Sequence, residues 1–363
     1  MSQLLKRLEN QLLTCSQPLA KAETLARISG HLARIGKFNE ASQYVVDLRR
    51  EHAGDRSGPE TVWIMMAEGL IHLYSNLSPL ALDRMSRAQI LGLSMQYPAA
   101  IAMSSAWKAH LEFEGSHFEA MVGSIRVGLQ YAKADDHDSQ VRIAMVLANA
   151  FMICGDRAIS QIWFSKARNH AVKNGDQASI EALLYNRTAF GIASIRSSRC
   201  IEVALISDLA IARKEVESAI NLQEITNAGA LTNHIHLWSA RLSILEGNFA
   251  VAISKLISAR RGAPFADYNF NQHMVDLELS YCMAKAGSLE EALSIFNGVE
   301  LDSLSSLDVD EQLVAASMQC ELEAISKVFM RRSDGLTRFE DLKREYVSNR
   351  QMLRSSLSEW ATA

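Results

Sequence analysis

The fold is decided by a stretch near the amino terminus, LARISGHLARIGKFNEASQYVVDL (residues 25–48). Apolar residues recur in this stretch at spacings of three and four, which places them on one face of a helix. Gly36 interrupts the pattern, because glycine readily adopts the left-handed conformation that ends a helix. Ala41 lies in a second helical stretch, where a small side chain lets two helices approach closely. The stretch therefore predicts a helix hairpin.

The same turn signal recurs along the chain at spacings of roughly 40 residues. The turn residues are Gly36, Asn76, Gly115, Gly155, Gly247 and Gly287. We expect a further turn at residues 197–199 to fill the longer gap between Gly155 and Gly247. A fixed period of this size indicates a solenoid of about seven or eight repeats, in which each repeat packs only on its neighbours.

Composition supports helices and argues against several classes of protein. Only five of the 363 residues are proline, and 48% are hydrophobic. A net charge of −4 leaves no basic surplus to neutralise phosphates, so nucleic-acid binding is not expected. The five cysteines lie far apart, which favours thiols in a reducing compartment over disulfides or a zinc site. No signal peptide and no membrane span are recognisable, so we expect a cytoplasmic protein that does not bind membranes.

The hairpin template resembles the tetratricopeptide repeat family, whose pattern is W-x2-L-G-x2-Y followed by G-x-Y-x2-A-x3-F-x2-A. The likeness covers roughly residues 20–330. Gly247, Phe249 and Ala252 carry the pattern in one of the later repeats. The repeats are longer than the roughly 34 residues typical of the family. In this respect they are similar to helical arrays of bacterial sensory and regulatory proteins.

The resemblance implies an all-α fold, a right-handed α–α superhelical solenoid of tetratricopeptide-like hairpins. Residues 1–330 would form the repeat array, and residues 331–363 would form a C-terminal capping helix that covers the last core face. The chain departs from the family pattern at Asn76, which replaces a turn glycine, and at Ser160, which replaces an alanine.

Motifs that carry chemistry are absent from the sequence: there is no HExxH, GxSxG, GxGxxG or P-loop pattern. The acidic run at residues 135–138 precedes a helix, so we interpret it as a capping segment rather than a metal site, with Asp138 as the cap. Ser305 is expected to cap a later helix. His234 and His236 point about 200° apart on a helix, so they do not form a metal pair. We expect no catalytic residue, metal or cofactor.

The family resemblance also implies a concave groove, lined by the second, fifth, ninth and twelfth residues of each first helix. At that register the groove residues are Trp63, Met66, Arg142, Asn149, Asn186, Arg196, His234, Arg241 and Tyr281. Asparagine can donate to and accept from a peptide backbone, and arginine can bind a carboxylate through two N–H groups. Alternatively, these side chains are solvated or pair with Glu112 and other nearby acids.

We therefore expect a non-catalytic scaffold that binds a protein or peptide in its concave groove and acts as a cytoplasmic regulatory or sensory adaptor. An alternative is the sensor region of a signalling enzyme, such as a cyclic-dinucleotide synthase, or of a transcription regulator, without its output domain. A third hypothesis is a self-assembling scaffold, in which the apolar part of the groove joins two copies of the chain as a homodimer.

Overall fold

The computed structural model describes residues 2–52, 58–201, 206–226, 232–262, 271–326 and 332–362. Across these ranges the chain is helical and contains no strand. It divides into two compact units. Unit 1 consists of Met1–Phe151, Asp156–Leu183 and Ser355–Ala363, and unit 2 consists of Met152–Gly155 and Leu184–Arg354. The predicted all-α fold of stacked helix hairpins is confirmed.

Unit 1 is a run of hairpins in which consecutive helices pack on each other. Its helices are α1 (Gln3–Thr14), α2 (Pro18–Arg34), α3 (Phe38–Glu51), α4 (Pro59–Asn76), α5 (Leu80–Ser94), α6 (Pro98–Glu114), α7 (Phe118–Tyr131), α8 (His137–Ile153), α9 (Arg157–Asn174) and the start of α10 (Gln177–Cys200). α2 packs on α3, α4 on α5 and α6 on α7; α2 and α3 also pack on α4, and α5 packs on α6. α8 and α9 are joined by a hydrogen bond of 2.7 Å from Ser160 Oγ to Ala148 O.

Unit 2 continues the same arrangement from the second part of α10. Its helices are α11 (Ile206–Thr226), α12 (Thr232–Leu245), α13 (Phe249–Gly262), α14 (Gln272–Lys285), α15 (Leu289–Phe296), α16 (Val309–Ser326) and α17 (Arg332–Ser356). α12 and α13 form one hairpin, α14 and α15 form the next, and α14 also packs on α16. One apolar core runs through α12 to α16.

The turns inside the hairpins share one hydrogen-bonded geometry. Gly36, Gly155, Gly247 and Gly287 have φ angles of 78°, 80°, 76° and 97°. After Gly36, the N–H of Lys37 donates to Leu32 O at 2.9 Å, which is the Schellman bond that closes a helix end. Such a turn needs a residue with positive φ, and glycine adopts that conformation without steric cost.

Two predicted turn residues are displaced by one position. Gly115 has a φ of −83°, and the left-handed residue is Ser116, with a φ of 57°. α4 runs through Asn76, and Leu77 adopts a φ of 45°. The hydrogen bond from His117 N to Glu112 O, 2.7 Å long, shows that the Schellman geometry persists without glycine at the left-handed position. The hydrogen-bonded geometry of the turn is therefore retained even where the left-handed residue is not glycine.

We expect Gly36→Ala to destabilise the chain by about 1–2 kcal/mol, because alanine pays a steric cost in the left-handed region. An added Cβ at Gly36 meets no atom within 4 Å, so backbone strain is the sole cause. Gly123 is the matched control, since its Cβ would also meet nothing within 4 Å and its φ is not positive. Gly123→Ala in α7 should stabilise by about 1 kcal/mol. Urea denaturation of both variants measures the difference, and equal effects would contradict it.

Two local predictions are wrong. The turn expected at residues 197–199 lies inside α10, which is continuous to Cys200. The segment contains neither glycine nor proline, and Ser197 satisfies its hydroxyl within the helix by donating to Ala193 O at 2.9 Å. The expected caps are also wrong. Asp136 rather than Asp138 accepts the N–H of Ser139 at the start of α8.

The cap before α16 is Asp308 rather than Ser305. Asp308 Oδ1 accepts the N–H of Glu311 at 2.8 Å, whereas the Ser305 hydroxyl donates to Asp302 O within a short 3₁₀ helix, Leu301–Ser306. In both cases the capping side chain belongs to the residue just before the first helical residue, because only that position can reach the unpaired N–H groups.

The C-terminal helix expected within residues 331–363 is present as α17. Leu342 and Tyr346 of this helix pack against Leu313 and Ala316 of α16. The assignment of residues 331–363 as a cap stays a prediction.

Among the described helices, none combines the length and apolar character needed to cross a bilayer.

Candidate functional site

Unit 1 contains a cavity of about 60 Å³ whose wall comes from the first helices of successive hairpins. The lining residues lie on α2, α4, α6 and α8, together with α1 and the start of α10, and no described lining residue comes from α3, α5, α7 or α9. We call this lining surface the inner wall. Three of the predicted groove residues, Trp63, Met66 and Arg142, lie on it.

The inner wall closes because α1 and α2 contact segments that lie far along the chain. Arg27 of α2 forms an ion pair with Asp138 of α8. Arg34 Nη1 lies 2.8 Å from Asp176 Oδ2, across 142 residues of sequence. The N–H of Leu4 donates to Gly175 O at 3.1 Å. The prediction that each hairpin packs only on its neighbours is therefore incomplete for unit 1.

Asp176 joins the cap of α10 to this closure. Its Oδ1 accepts the N–H of Ser179 at 3.1 Å, and its Oδ2 accepts the Ser179 hydroxyl at 2.7 Å as well as the Arg34 guanidinium. Burial alone would raise the pKa of Asp176, but the Arg34 charge and these hydrogen bonds hold that pKa below its usual range. Asp176 is thus a charged carboxylate whose two oxygens bond to Ser179 and Arg34 of the same chain.

Arg142 differs from the other two arginines because no described carboxylate pairs with it. Its side chain is buried, with 3% of the residue exposed. The guanidinium carbon lies 3.7 Å from the centroid of the Trp107 ring, and Nη1 lies 3.5 Å from the sulfur of Met145. The Nε atom has no hydrogen-bond partner among the described residues. Burial lowers the pKa of Arg142 to about 10, so the group stays charged at neutral pH.

His31 and His110 add neutral polar atoms to the same region. Burial, together with the Arg34 charge, lowers the pKa of His31, and burial with the Arg142 charge lowers the pKa of His110. Neither ring nitrogen of His31 has a hydrogen-bond partner within the described ranges. A neutral imidazole carries one donor and one acceptor. His31 therefore offers both to a ligand; it lines the cavity, and its Nδ1 lies 4.0 Å from Asp176 Oδ1.

Apolar and aromatic side chains form the rest of the inner wall. They include Leu4, Leu8, Trp63, Met66, Leu70 and Trp107. Trp63 is held in place by its N–H, which donates to the Tyr97 hydroxyl at 3.2 Å, and that hydroxyl donates to Glu23 at 3.1 Å. The lining of the cavity thus combines charged, polar and apolar side chains.

The predicted groove residues of unit 2 take part in contacts within the chain. Arg196 and Arg241 both pair with Glu278 and Glu311; the Arg241 Nε to Glu278 Oε1 distance is 2.9 Å. Two positive and two negative charges balance in this network, and Glu278 is fully buried. Arg196 and Arg241 thus pair with nearby acids, as the alternative interpretation of the groove residues expected, but Glu112 is not one of their partners. Glu112 instead contacts Lys108 and Ser124.

The remaining predicted groove residues are spread over both units. Asn149 of α8 is fully buried, and neither of its side-chain amide atoms has a hydrogen-bond partner in the described part of the chain. His234 is buried, with its ring centroid 5.8 Å from that of Tyr185. Asn186 is half-buried. The Tyr281 hydroxyl donates to Glu321 at 3.3 Å. Their role in binding a partner stays a prediction.

Sequence reasoning missed His31, Arg34, Asp138 and Asp176 as site residues. His31 and Arg34 lie in the opening stretch of the sequence, on a face of α2 that no repeat consensus singles out. The acidic run at residues 135–138 was noticed, but the partner of Asp138 is 111 residues away. Within the described residues, no three histidine, cysteine, aspartate or glutamate side chains gather into a metal-holding group.

Comparison with known proteins adds little to this description. No protein-family model matches the chain, and no curated protein matches it. Among solved structures, the chain is similar to the crystal structure of the P58(IPK) TPR domain, with 13% sequence identity and a TM-score of 0.27. The match covers 92% of this chain and 98% of that one. A TM-score this low does not establish a shared fold. The all-α assignment therefore follows from the helix hairpins themselves.

Proposed function

We propose that the chain is a non-catalytic binding scaffold and that the inner wall of unit 1 is its binding surface. The partner is a protein or peptide segment, and the chain acts as a regulatory or sensory adaptor in the cytoplasm. Five free cysteines support that compartment. Burial raises the pKa of Cys200 and of Cys282, so these thiols resist ionisation, as expected of packing residues rather than reactive ones.

One observation carries the proposal: the inner wall buries polar atoms that the described residues leave without partners. The Nε atom of Arg142 and both ring nitrogens of His31 belong to this set. Nearly all buried polar groups in proteins are hydrogen-bonded, because an unpaired one is costly. Such atoms, gathered in one cavity, support a surface that a partner completes. The partner's insertion would also favour the closed arrangement of α2 and α8, which gives the scaffold a means to signal.

The proposal is tested by affinity purification from the native cell with the full chain as bait, followed by mass spectrometry. We expect Arg142→Gln to lose the captured proteins, because it removes the unpaired cation of the inner wall. Arg126→Gln is the matched control: Arg126 is exposed on α7, and its ion-pair partner among the described residues is the exposed Glu359. Capture that is equal for Arg142→Gln and the wild-type chain would overturn the proposal, provided that circular dichroism shows both to be folded.

A further inference from the structure

The charges that line the cavity do not cancel. Three guanidinium groups belong to the lining, those of Arg27, Arg34 and Arg142, and two carboxylates, those of Asp138 and Asp176. Arg27 pairs with Asp138 and Arg34 pairs with Asp176. Burial and the Arg34 charge lower the pKa of His31, so this histidine contributes no positive charge at neutral pH. The lining therefore carries one positive charge in excess, on Arg142.

The excess charge is held in a fixed position. The Arg142 guanidinium carbon lies 3.7 Å from the centroid of the Trp107 ring, and the Arg142 side chain also hydrogen-bonds to Tyr74, which packs edge-on against Trp107 with ring centroids 6.2 Å apart. A guanidinium over a ring face can still donate from its edge, and the Arg142 Nε–H has no hydrogen-bond partner among the described residues. Burying a lone cation is unfavourable unless an anion joins it. The geometry thus points to a negatively charged group at the edge of Arg142.

The size of the cavity limits that group to a small one. About 60 Å³ is several times the volume of about 10–15 Å³ that a cavity needs to hold one water molecule. A carboxylate on a short carbon chain fits in this volume, and because the cavity is partly open, a larger partner would place only such a group inside it. The single excess charge also matches a monoanion better than phosphate or sulfate, which carry more charge and require more donors.

The apolar part of the lining suits a short aliphatic chain. Leu4, Leu8 and Met66 are each at least 97% buried and belong to this lining. Aliphatic carbon atoms placed there leave water, which favours binding in proportion to the area buried. His31 also lines the cavity and can donate one hydrogen bond to a carboxylate oxygen.

We propose that the cavity binds a short-chain carboxylate, of acetate to butyrate size, with its carboxylate on Arg142 and its carbon chain among the apolar residues of α1 and α4. This inference rests on the proposed function because it places the ligand on the same inner wall. The bound acid ties α8 to the helices that face it. It therefore acts as an effector that stabilises the closed inner wall.

The test is isothermal titration calorimetry of the full chain with acetate, propionate and butyrate at constant ionic strength. We expect at least one acid to bind with a Kd in the millimolar range or tighter, about 1 mM. Propionamide, which has the same shape without the charge, and inorganic phosphate should not bind. Arg142→Gln should weaken binding at least about tenfold, and Arg126→Gln should leave it unchanged.

Arg142→Lys provides a second variant in case the glutamine variant does not fold. It keeps the positive charge but loses the planar fork, so it should bind more weakly than the wild-type chain and more tightly than Arg142→Gln. Equal binding of propionamide and propionate, or no binding of any acid at about 50 mM, would overturn the inference. Tighter binding of N-acetyl-glutamate amide than of propionate would also overturn it, since the site would then hold an acidic side chain of a partner.

The protein-binding function and the carboxylate site can be disproved independently of each other. If no acid binds but protein capture still depends on Arg142, the effector inference is wrong and the binding surface stands. If acids bind in an Arg142-dependent way but capture is the same for Arg142→Gln, the protein-binding function is wrong and the ligand site stands.

Discussion

Asp176→Ala is expected to lower the free energy of unfolding of unit 1 by about 3–5 kcal/mol, because it leaves the buried Arg34 guanidinium without its carboxylate. The substitution also removes the cap of α10, where Asp176 accepts the N–H of Ser179. Both losses act on the contact that joins α2 to α10. Urea denaturation followed by circular dichroism and tryptophan fluorescence measures the change. A loss below about 1 kcal/mol, the level of an exposed pair, would contradict it.

The pH dependence of stability checks the same contact in another way. The pKa of Asp176 is depressed in the folded chain, so its contribution to stability is present above its unfolded pKa of about 3.9 and is lost as pH falls through the folded pKa. Asp176→Asn keeps a capping residue but not the charge. The stability difference between this variant and the wild-type chain should therefore be largest at neutral pH and shrink below about pH 4. A difference that is constant between neutral pH and acid would contradict the assignment.

Glu278→Ala is expected to lower the free energy of unfolding of unit 2 by about 3–5 kcal/mol. Glu278 is fully buried between Arg196 and Arg241, and its removal leaves two cations with a single partner, Glu311. Burial alone would raise the pKa of Glu311, but the two arginines lower it, so Glu311 is charged at neutral pH and cannot compensate for both. Urea denaturation monitored by circular dichroism measures the loss.

Glu345→Ala is the matched control for this experiment. Glu345 lies on the exposed face of α17, in the same unit, and the same change in residue type there should alter stability by no more than about 0.5 kcal/mol. If Glu278→Ala and Glu345→Ala have equal effects, the four charges of unit 2 do not form a network that stabilises the fold.

The hairpins could be predicted from the sequence because their signals are local. Gly36 and Gly247 mark turns that need a positive φ, and small residues such as Ala41 lie a fixed distance beyond them. The same local reasoning misplaced the turn at Gly115, because the Schellman geometry there uses Ser116 and does not require glycine. It also predicted a turn inside α10, where Ser197 bonds to its own helix. Turn geometry constrains residue type only partly.

The closed inner wall could not be predicted, since its contacts join residues far apart in sequence. Arg34 and Asp176 are 142 residues apart, and each taken alone is most simply interpreted as a solvated charge. The repeat register did place Trp63, Met66 and Arg142 on the inner wall, because it assigns helix faces. It did not show that Arg196 and Arg241 are neutralised, since register says nothing about which acids face a helix.

A crystal structure of the full chain grown with propionate tests the central claim most directly, namely that the inner wall of unit 1 is a ligand site built around Arg142. The account predicts density for a carboxylate at the edge of the Arg142 guanidinium, with the carbon chain toward Leu8 and Met66. Density for a carboxylate of the chain itself against Arg142, or a cavity without propionate at saturating concentration, would contradict it.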